Sequence, residues 1–413
     1  MEKRKTDFLN ILKTALRGQR VTGYEDLTIE DWQVLFAIAQ TQSVLPLFYE
    51  AVFAVPVLQS GEAPFVAAVR QQVKQQVLVQ TIRTSDFLEL NRKLQAAGVT
   101  PLVVKGVICR NLYPKPDHRM SSDEDVLIRP EQFERCHEVM EDFGLRTGEE
   151  LLDSYEVPYR SKTGSPLYIE LHKHLFPPES EAYGELNRFF EGVFDRAIEE
   201  EIQGEQVWTM GYTDHLFYLI CHAFKHFLHS GFGIRQVCDI VMYANRYGSR
   251  VDWFQVLECC EVIRAERFAA ALLKIGEKYL GFDPEAACYP KTWRALDVDE
   301  NAMLEDLLSG GLYGDASMSR KHSSNITLDA VVAQKRGEKA KYSVLAAVFP
   351  SAARLEGKYP YLRRRPYLLP FAWASRLWKY NRETKTVRDN TPADAVKIGT
   401  ERVELLRQYR IVD

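Results

Sequence analysis

Asp123 and Asp125 stand two residues apart in the segment DEDVLI, whose apolar end suits a short strand. Side chains two apart on a strand point to one face, so the two carboxylates are expected side by side. Adjacent carboxylates repel each other unless a cation lies between them. Hard oxygen ligands of this kind suit Mg²⁺, commonly held by one or two protein carboxylates plus substrate phosphates. A bare acidic pair is also what a solvated strand end looks like, so its neighbours must decide. In Leu167-Tyr168-Ile169-Glu170-Leu171-His172, three apolar residues alternate with Tyr168, Glu170 and His172, which puts Glu170 on the polar face of a second strand. A third carboxylate beside the Asp pair would complete a two-metal site or take a proton from an attacking hydroxyl.

Lys105-Gly106 lies between the apolar run Leu102-Val103-Val104 and the helix-like VICRNLY. Such a strand-to-helix junction favours an anion: glycine lets the backbone approach closely, and lysine adds a point charge for a phosphate. Arg119, Ser121 and Ser122, just ahead of the Asp pair, add donors at the same strand mouth.

A second group lies on a helical stretch, Thr213 to His229, where His215, His222, His226 and His229 share a narrow arc of the wheel. His222 and His226, at i and i+4, have the spacing of a transition-metal pair. Ala223, however, stands where the zinc-protease HExxH motif carries its glutamate. Core histidines bonded to backbone, a stripe lining a polar cleft, and a zinc site are the three readings, the zinc site being the least favoured.

The elements that must position these groups follow from the pattern. Residues 1–83 read as an N-terminal helical region, and a Gly- and Pro-free stretch from Phe65 to Ala97 reads as one long helix ended by Gly98. Residues 84–180 alternate short strands and helices, with a hairpin formed by YEVPYR, the turn SKTGSP and LYIELH. The pattern from 182 onward is helical to the end: a helical domain at 181–330, then a basic, aromatic-rich region at 331–413. The expected class is α+β, a small mixed sheet embedded between helical regions.

At 413 residues, 46% hydrophobic and 27% charged, the chain has the composition of a soluble globular protein of two or three units. No apolar run approaches ~18 residues, which argues against a spanning helix, and the N-terminus lacks a secretory pattern. Seven cysteines with no CxxC pair fit a reducing, cytoplasmic setting rather than a disulfide scaffold or zinc ribbon. The net charge of -4 hides an asymmetry: residues 331–413 hold 18 Lys/Arg against 8 Asp/Glu, the rest 35 against 49. The basic tail suits either phosphate-bearing partners or, the favoured reading, docking onto the acidic body of the chain. Arg363, Arg364 and Arg365 with Trp373 and Trp378 suggest a membrane or nucleic-acid contact, but Pro366 and Pro370 are expected to break the helix such an anchor needs. No RNA-binding signature is present, and the overall acidity speaks against a nucleic-acid polymerase.

Taken in order, PLVVKGVICRNLYP, HRMSSDEDVLIRPEQFERCHEVMEDFG, YIELHKHL, TDHLFYLICHAFKHFLHSGFGIRQVCDIVMYA and YPYLRRRPYLLPFAWASRLW resemble the uncharacterised nucleotidyltransferase family of the DNA-polymerase-β-like superfamily, over most of residues 30–380. The resemblance implies a palm-like mixed sheet in which Asp123, Asp125 and Glu170 hold Mg²⁺ and catalyse transfer of a nucleoside monophosphate from an NTP to an acceptor, small molecule or protein, with release of pyrophosphate. Lys105, Arg119 and Arg235 would neutralise the phosphates, and Ser121 and Ser122 would donate to them. His222, His226, Arg235 and Asp239 match a helical signature that would line the nucleotide or acceptor cleft. Two departures stand out: Lys105-Gly106 replaces the usual glycine-serine element, and Glu124 occupies a normally apolar place. A core-facing carboxylate is costly unless paired. Glu124 therefore predicts an edge strand, or a module that binds nucleotide without turnover.

Overall fold

Apolar residues recur at helical spacing through the first hundred positions, and helices form there: α1 (Glu2–Leu16), α2 (Ile29–Thr41), α3 (Leu45–Val52), α4 (Pro56–Gln59) and α5 (Pro64–Ala96). A capping box starts α2, with the Asp31 amide donating to Thr28 Oγ1 at 3.3 Å and the Thr28 amide to the Asp31 carboxylate at 3.1 Å. Nothing interrupts α5 over 33 residues, and Gly98, at φ +79°, closes it in the left-handed region. The computed structural model describes residues 2–59, 64–229, 231–310, 318–337, 352–355, 359–363, 365–384 and 392–413.

After α5 the chain enters a five-stranded mixed sheet: β1 (Leu102–Val103), α6 (Val107–Arg110), β2 (Glu124–Leu127), α7 (Phe133–Asp142), β3 (Leu145–Arg146), β4 (Glu156–Ser161) and β5 (Tyr168–His172). The strand order is β1-β2-β5-β4-β3; β2 and β5 run parallel and the other neighbours antiparallel. Period-two alternation sorts the two faces. Val126, Ile169, Leu171, Val157 and Tyr159 pack on Phe87, Leu90 and Leu94 of α5 and on Cys136 and Met140 of α7. Asp125, Glu170, His172 and Glu156 fall on the other face.

One expectation fails between 182 and 211. A second, two-stranded sheet forms there, β6 (Ile198–Ile202) and β7 (Glu205–Thr209), joined at Gln203 and Gly204, both at positive φ. Gln-Gly is a weaker cousin of the Asn-Gly hairpin signal, and the Glu-rich strand β6 hides the alternation. The helices α8 (Tyr212–His229), α9 (Ile234–Tyr247), α10 (Trp253–Val262), α11 (Glu266–Ile275), α12 (Lys291–Arg294), α13 (Glu300–Gly310) and α14 (Met318–Lys335) follow.

The chain divides into two units, Met1–Ala223 with Gly233–Leu308, and Phe224–Phe232 with Ser309–Asp413. The first contains the sheet. In the second, α14 packs on the helix Pro392–Gln408 so closely that a Cβ on Gly399 would fall 2.6 Å from Ile326 Cδ1. Pro366 lies in a short 3-10 turn ahead of the next helix, but the break expected at Pro370 is corrected. Pro370 sits in the first turn of an intact helix, Leu369–Thr384, where proline costs no hydrogen bond. Among the described residues no helix is long and apolar enough to cross a membrane.

Candidate active site

The parallel register sets Asp125 directly opposite Glu170 and Leu127 opposite His172, so three polar side chains from two central strands meet on one face. Asp125, Glu170 and His172 each offer a ligand atom, all within 4.8 Å of one another. His172 Nε2 lies 3.3 Å from Asp125 Oδ1, and its Nδ1 lies 3.8 Å from Glu156. The Lys105 ammonium, from the turn after β1, approaches Asp125 Oδ2 at 2.9 Å and donates to His222 Nε2 at 3.1 Å. An ammonium can only donate, so His222 accepts at Nε2 and its Nδ1–H points at Gln236 Oε1, 3.3 Å away.

These charges sort themselves. Burial pushes against ionisation of Asp125, but the Lys105 ammonium and the hydrogen bond and charge of His172 hold its carboxyl well below the usual range. Glu170 is driven the other way, by burial first and then by the charges of Asp125 and Asp123. Burial opposes the Lys105 charge as well, yet Asp125, Asp123 and Glu170 together raise its pKa above the ordinary lysine value. In effect one carboxylate is ionised and paired, while its neighbour is biased towards the protonated form.

The donor set fits a divalent cation. Asp125 Oδ2 is paired with the Lys105 ammonium, while His172 Nδ1 is buried without a hydrogen-bond partner. Two carboxylates beside an imidazole suit Mg²⁺ or Mn²⁺ through the oxygens, with the nitrogen leaning towards Mn²⁺. Asp123 does not join this group. The strand ladder begins at Glu124, and Asp123 lies just ahead of it, half-buried, with its charge felt at Lys105, Glu170 and Arg235.

The surrounding donors divide. Arg235 gives one N–H to the Met120 carbonyl and keeps a buried Nε without a hydrogen-bond partner. Ser122 is exposed beside Asp123. Arg119, by contrast, is locked in a fork on Asp239 at 3.0 and 2.6 Å, where Tyr113 also donates at 2.7 Å. Ser121 is bound inward: its amide donates to Gln80 at 2.9 Å and its hydroxyl accepts from Arg110 at 2.6 Å.

Glu124 is not on an edge strand, because β2 is paired on both sides. Its carboxylate is fully buried and accepts the Val107 amide at 2.8 Å, with Arg110 Nη2 at 2.6 Å as its counter-charge. The place expected for an anion at the Lys105-Gly106 junction is therefore filled by the chain itself, with burial pushing the Glu124 carboxyl up and Arg110 acting the other way. Gly106 adopts φ +54°, and a Cβ there would lie 1.9 Å from Glu124 Oε2, so both conformation and space demand glycine.

Of the histidine stripe, His222 reaches the site, while His226 belongs to the second unit. His215 is a core histidine, its Nε2 2.8 Å from the Val104 carbonyl and its Nδ1 3.2 Å from Thr209 Oγ1. Burial pushes its imidazole down to about 4 from 6.5, the carbonyl contact acting the other way. The unfolded chain therefore takes up this proton first as pH falls. The contribution of His215 is intact above about pH 6.5 and is lost as pH drops towards 4. Thermal unfolding across that range should show a shallower pH slope in His215→Gln than in the parent; equal slopes would refute the assignment.

Residue order did not single out His172 or Gln236 as functional. His172 was legible as a polar-face neighbour of Glu170, whereas Gln236 carries no signal before α9 brings it to His222.

The model of the uncharacterised nucleotidyltransferase family matches residues 28–281. No curated protein and no solved structure matches the chain. The match takes in the sheet, the facing Asp125 and Glu170, Lys105, and the helix bearing His222, and it ends before the basic C-terminal region. With more than half its length so matched and a mixed α+β fold, the chain belongs to the uncharacterised nucleotidyltransferase family.

Proposed function

We propose that this protein transfers a nucleoside monophosphate from an NTP to an acceptor, releasing pyrophosphate, with Mg²⁺ or Mn²⁺ held at Asp125, Glu170 and His172 and Asp123 beside them. The observation that carries the reading is the opposition of Asp125 and Glu170 on parallel strands with the Lys105 ammonium against them. A divalent ion there supplies charge neutralisation at the phosphoryl oxygens. The acceptor oxygen attacks the α-phosphorus, the bond to the β-phosphate oxygen breaks, and pyrophosphate departs. Lys105 and Arg235 bring positive charge for the phosphates, and Arg235 has a buried N–H still to satisfy. Glu170, opposite Asp125 in the strand register, is placed to help hold the cation or, once ionised, to take the acceptor's proton. Ser122 offers a hydroxyl from the exposed loop; Ser121 and Arg119, bound inward, keep that loop in place.

A module that binds nucleotide without turnover draws no support from Glu124, whose carboxylate is turned away from the site and paired. The test is incubation of the full chain with α-labelled NTPs and MgCl₂ or MnCl₂. Water suffices as a slow acceptor, so nucleoside monophosphate and pyrophosphate are expected to form only when metal is present. Metal-dependent NTP binding with neither product would overturn the transfer reading.

A further inference from the structure

Glu124 does not face the acidic group. It points into the sheet's other face, yet one carboxylate holds two separate loops of the site. Its Oε2 accepts the Val107 amide at 2.8 Å and lies directly beneath Gly106. Its Oε1 meets Arg110 at 2.6 Å, and the other arm of Arg110 donates to Ser121 Oγ at 2.6 Å, two residues ahead of Asp123. Gln80 and Arg83 from α5 close the cluster, Gln80 at the Ser121 amide and hydroxyl and Arg83 at the Ser121 carbonyl.

A buried pair of opposite charges is a poor source of stability: desolvation offsets most of the attraction, and apolar residues of similar size often do as well. Such a pair instead restricts which arrangement the chain can take. Here the arrangement fixed is the Lys105-Gly106 turn. Gly106 at φ +54° and ψ -119° reverses the chain so that Lys105, with a side chain only 11% exposed, reaches Asp125 and His222. The Val107 amide that holds the turn is satisfied from inside the fold, which leaves it nothing to offer a phosphate.

We infer that Glu124 is a positioning residue: a built-in hydrogen-bond acceptor that takes the backbone place an incoming phosphate would otherwise fill, and so locks the Lys105 side chain onto Asp125. The inference rests on Lys105 belonging to the proposed site, but not on the chain being active. Phosphate recognition passes to side chains, Lys105 and Arg235, and the Ser121-Asp123 loop is tied to the same anchor through Arg110.

The test reads Lys105 itself, in the full-length, metal-free protein. Reductive methylation with formaldehyde, mapped by mass spectrometry, reports how accessible each lysine is without any need for turnover. Two variants separate reach from charge. Glu124→Asp keeps the charge facing Arg110 but withdraws the acceptor from Val107. Glu124→Gln with Arg110→Met keeps an acceptor for Val107 while removing both charges. Lys105 is expected to be methylated about tenfold faster in Glu124→Asp, the change expected from losing one buried hydrogen bond. The double variant should keep Lys105 protected as in the parent, and exposed lysines such as Lys93 should react alike in all three. Parent-like protection of Lys105 in folded Glu124→Asp overturns the inference, and so does exposure of Lys105 in the folded double variant. If Glu124→Asp does not fold, the double variant decides alone. Failure of transfer in every variant, with this labelling pattern intact, would count against the proposed activity and not against the lock.

Discussion

Asp125→Asn should cut transfer by at least about 10³-fold, roughly 4 kcal/mol of transition-state stabilisation. Asparagine keeps the shape and one oxygen but removes the charge that holds Lys105 at 2.9 Å and that the proposed cation site relies on. Residue order alone allows an unchanged stability or a small gain, since one of two repelling carboxylates disappears. The fold favours the unchanged outcome. Asp125 is already paired with Lys105, and the repulsion falls on Glu170, whose carboxyl is biased towards protonation. Losing Asp125 leaves Lys105 short of a partner and lets Glu170 ionise in its place, so the two effects offset. The expected result is a folded protein with an unfolding midpoint near the parent's, weakened Mn²⁺ binding by titration calorimetry, and transfer near background. Transfer within tenfold of the parent would mean the chemistry lies elsewhere.

The largest stability effect is expected at Asp239. Arg119 is only 2% exposed and gives two hydrogen bonds to this carboxylate, and Tyr113 donates a third. The Asp239 carboxyl is accordingly held below its ordinary range: burial works against its charge, but Arg119 outweighs it. In Asp239→Ala the guanidinium stays buried with no counter-charge and Arg235 nearby, a loss of about 3–5 kcal/mol. Thermal or urea unfolding should show it clearly. Removing both members, as Arg119→Met with Asp239→Leu, should recover most of the loss, because no charge is then stranded. That double variant also weighs two roles for Arg119. ATP binding at parental affinity would mark the residue as a strut of the fold, whereas a tenfold weaker dissociation constant would restore the phosphate contact expected from its place before the Asp pair.

Much of this architecture was legible because short-range rules governed it. A helix such as α5 needs only a long Gly- and Pro-free stretch and a glycine to close it, and the β4–β5 hairpin needs only alternation around a turn. The acidic residues at 123, 125 and 170 could likewise be picked out as candidates, since parity along a strand is a local property. The hairpin β6–β7 escaped because three consecutive glutamates masked its alternation.

Folding settled what distance along the chain cannot. Which carboxylates touch depends on strand order and register: parallel pairing of β2 with β5 brings Asp125 to Glu170 and adds His172, while Asp123 stops one residue short of the ladder. Whether a basic group is available depends on who reaches it first. Arg119 and Ser121 look like phosphate donors in order of sequence, and both are claimed by partners more than 40 positions away. Glu124 is the sharpest case. Its local context marks a charge in an apolar place, and only the approach of Arg110 and the Val107 amide turns that apparent fault into an anchor, because a buried charge is judged by its neighbours in space.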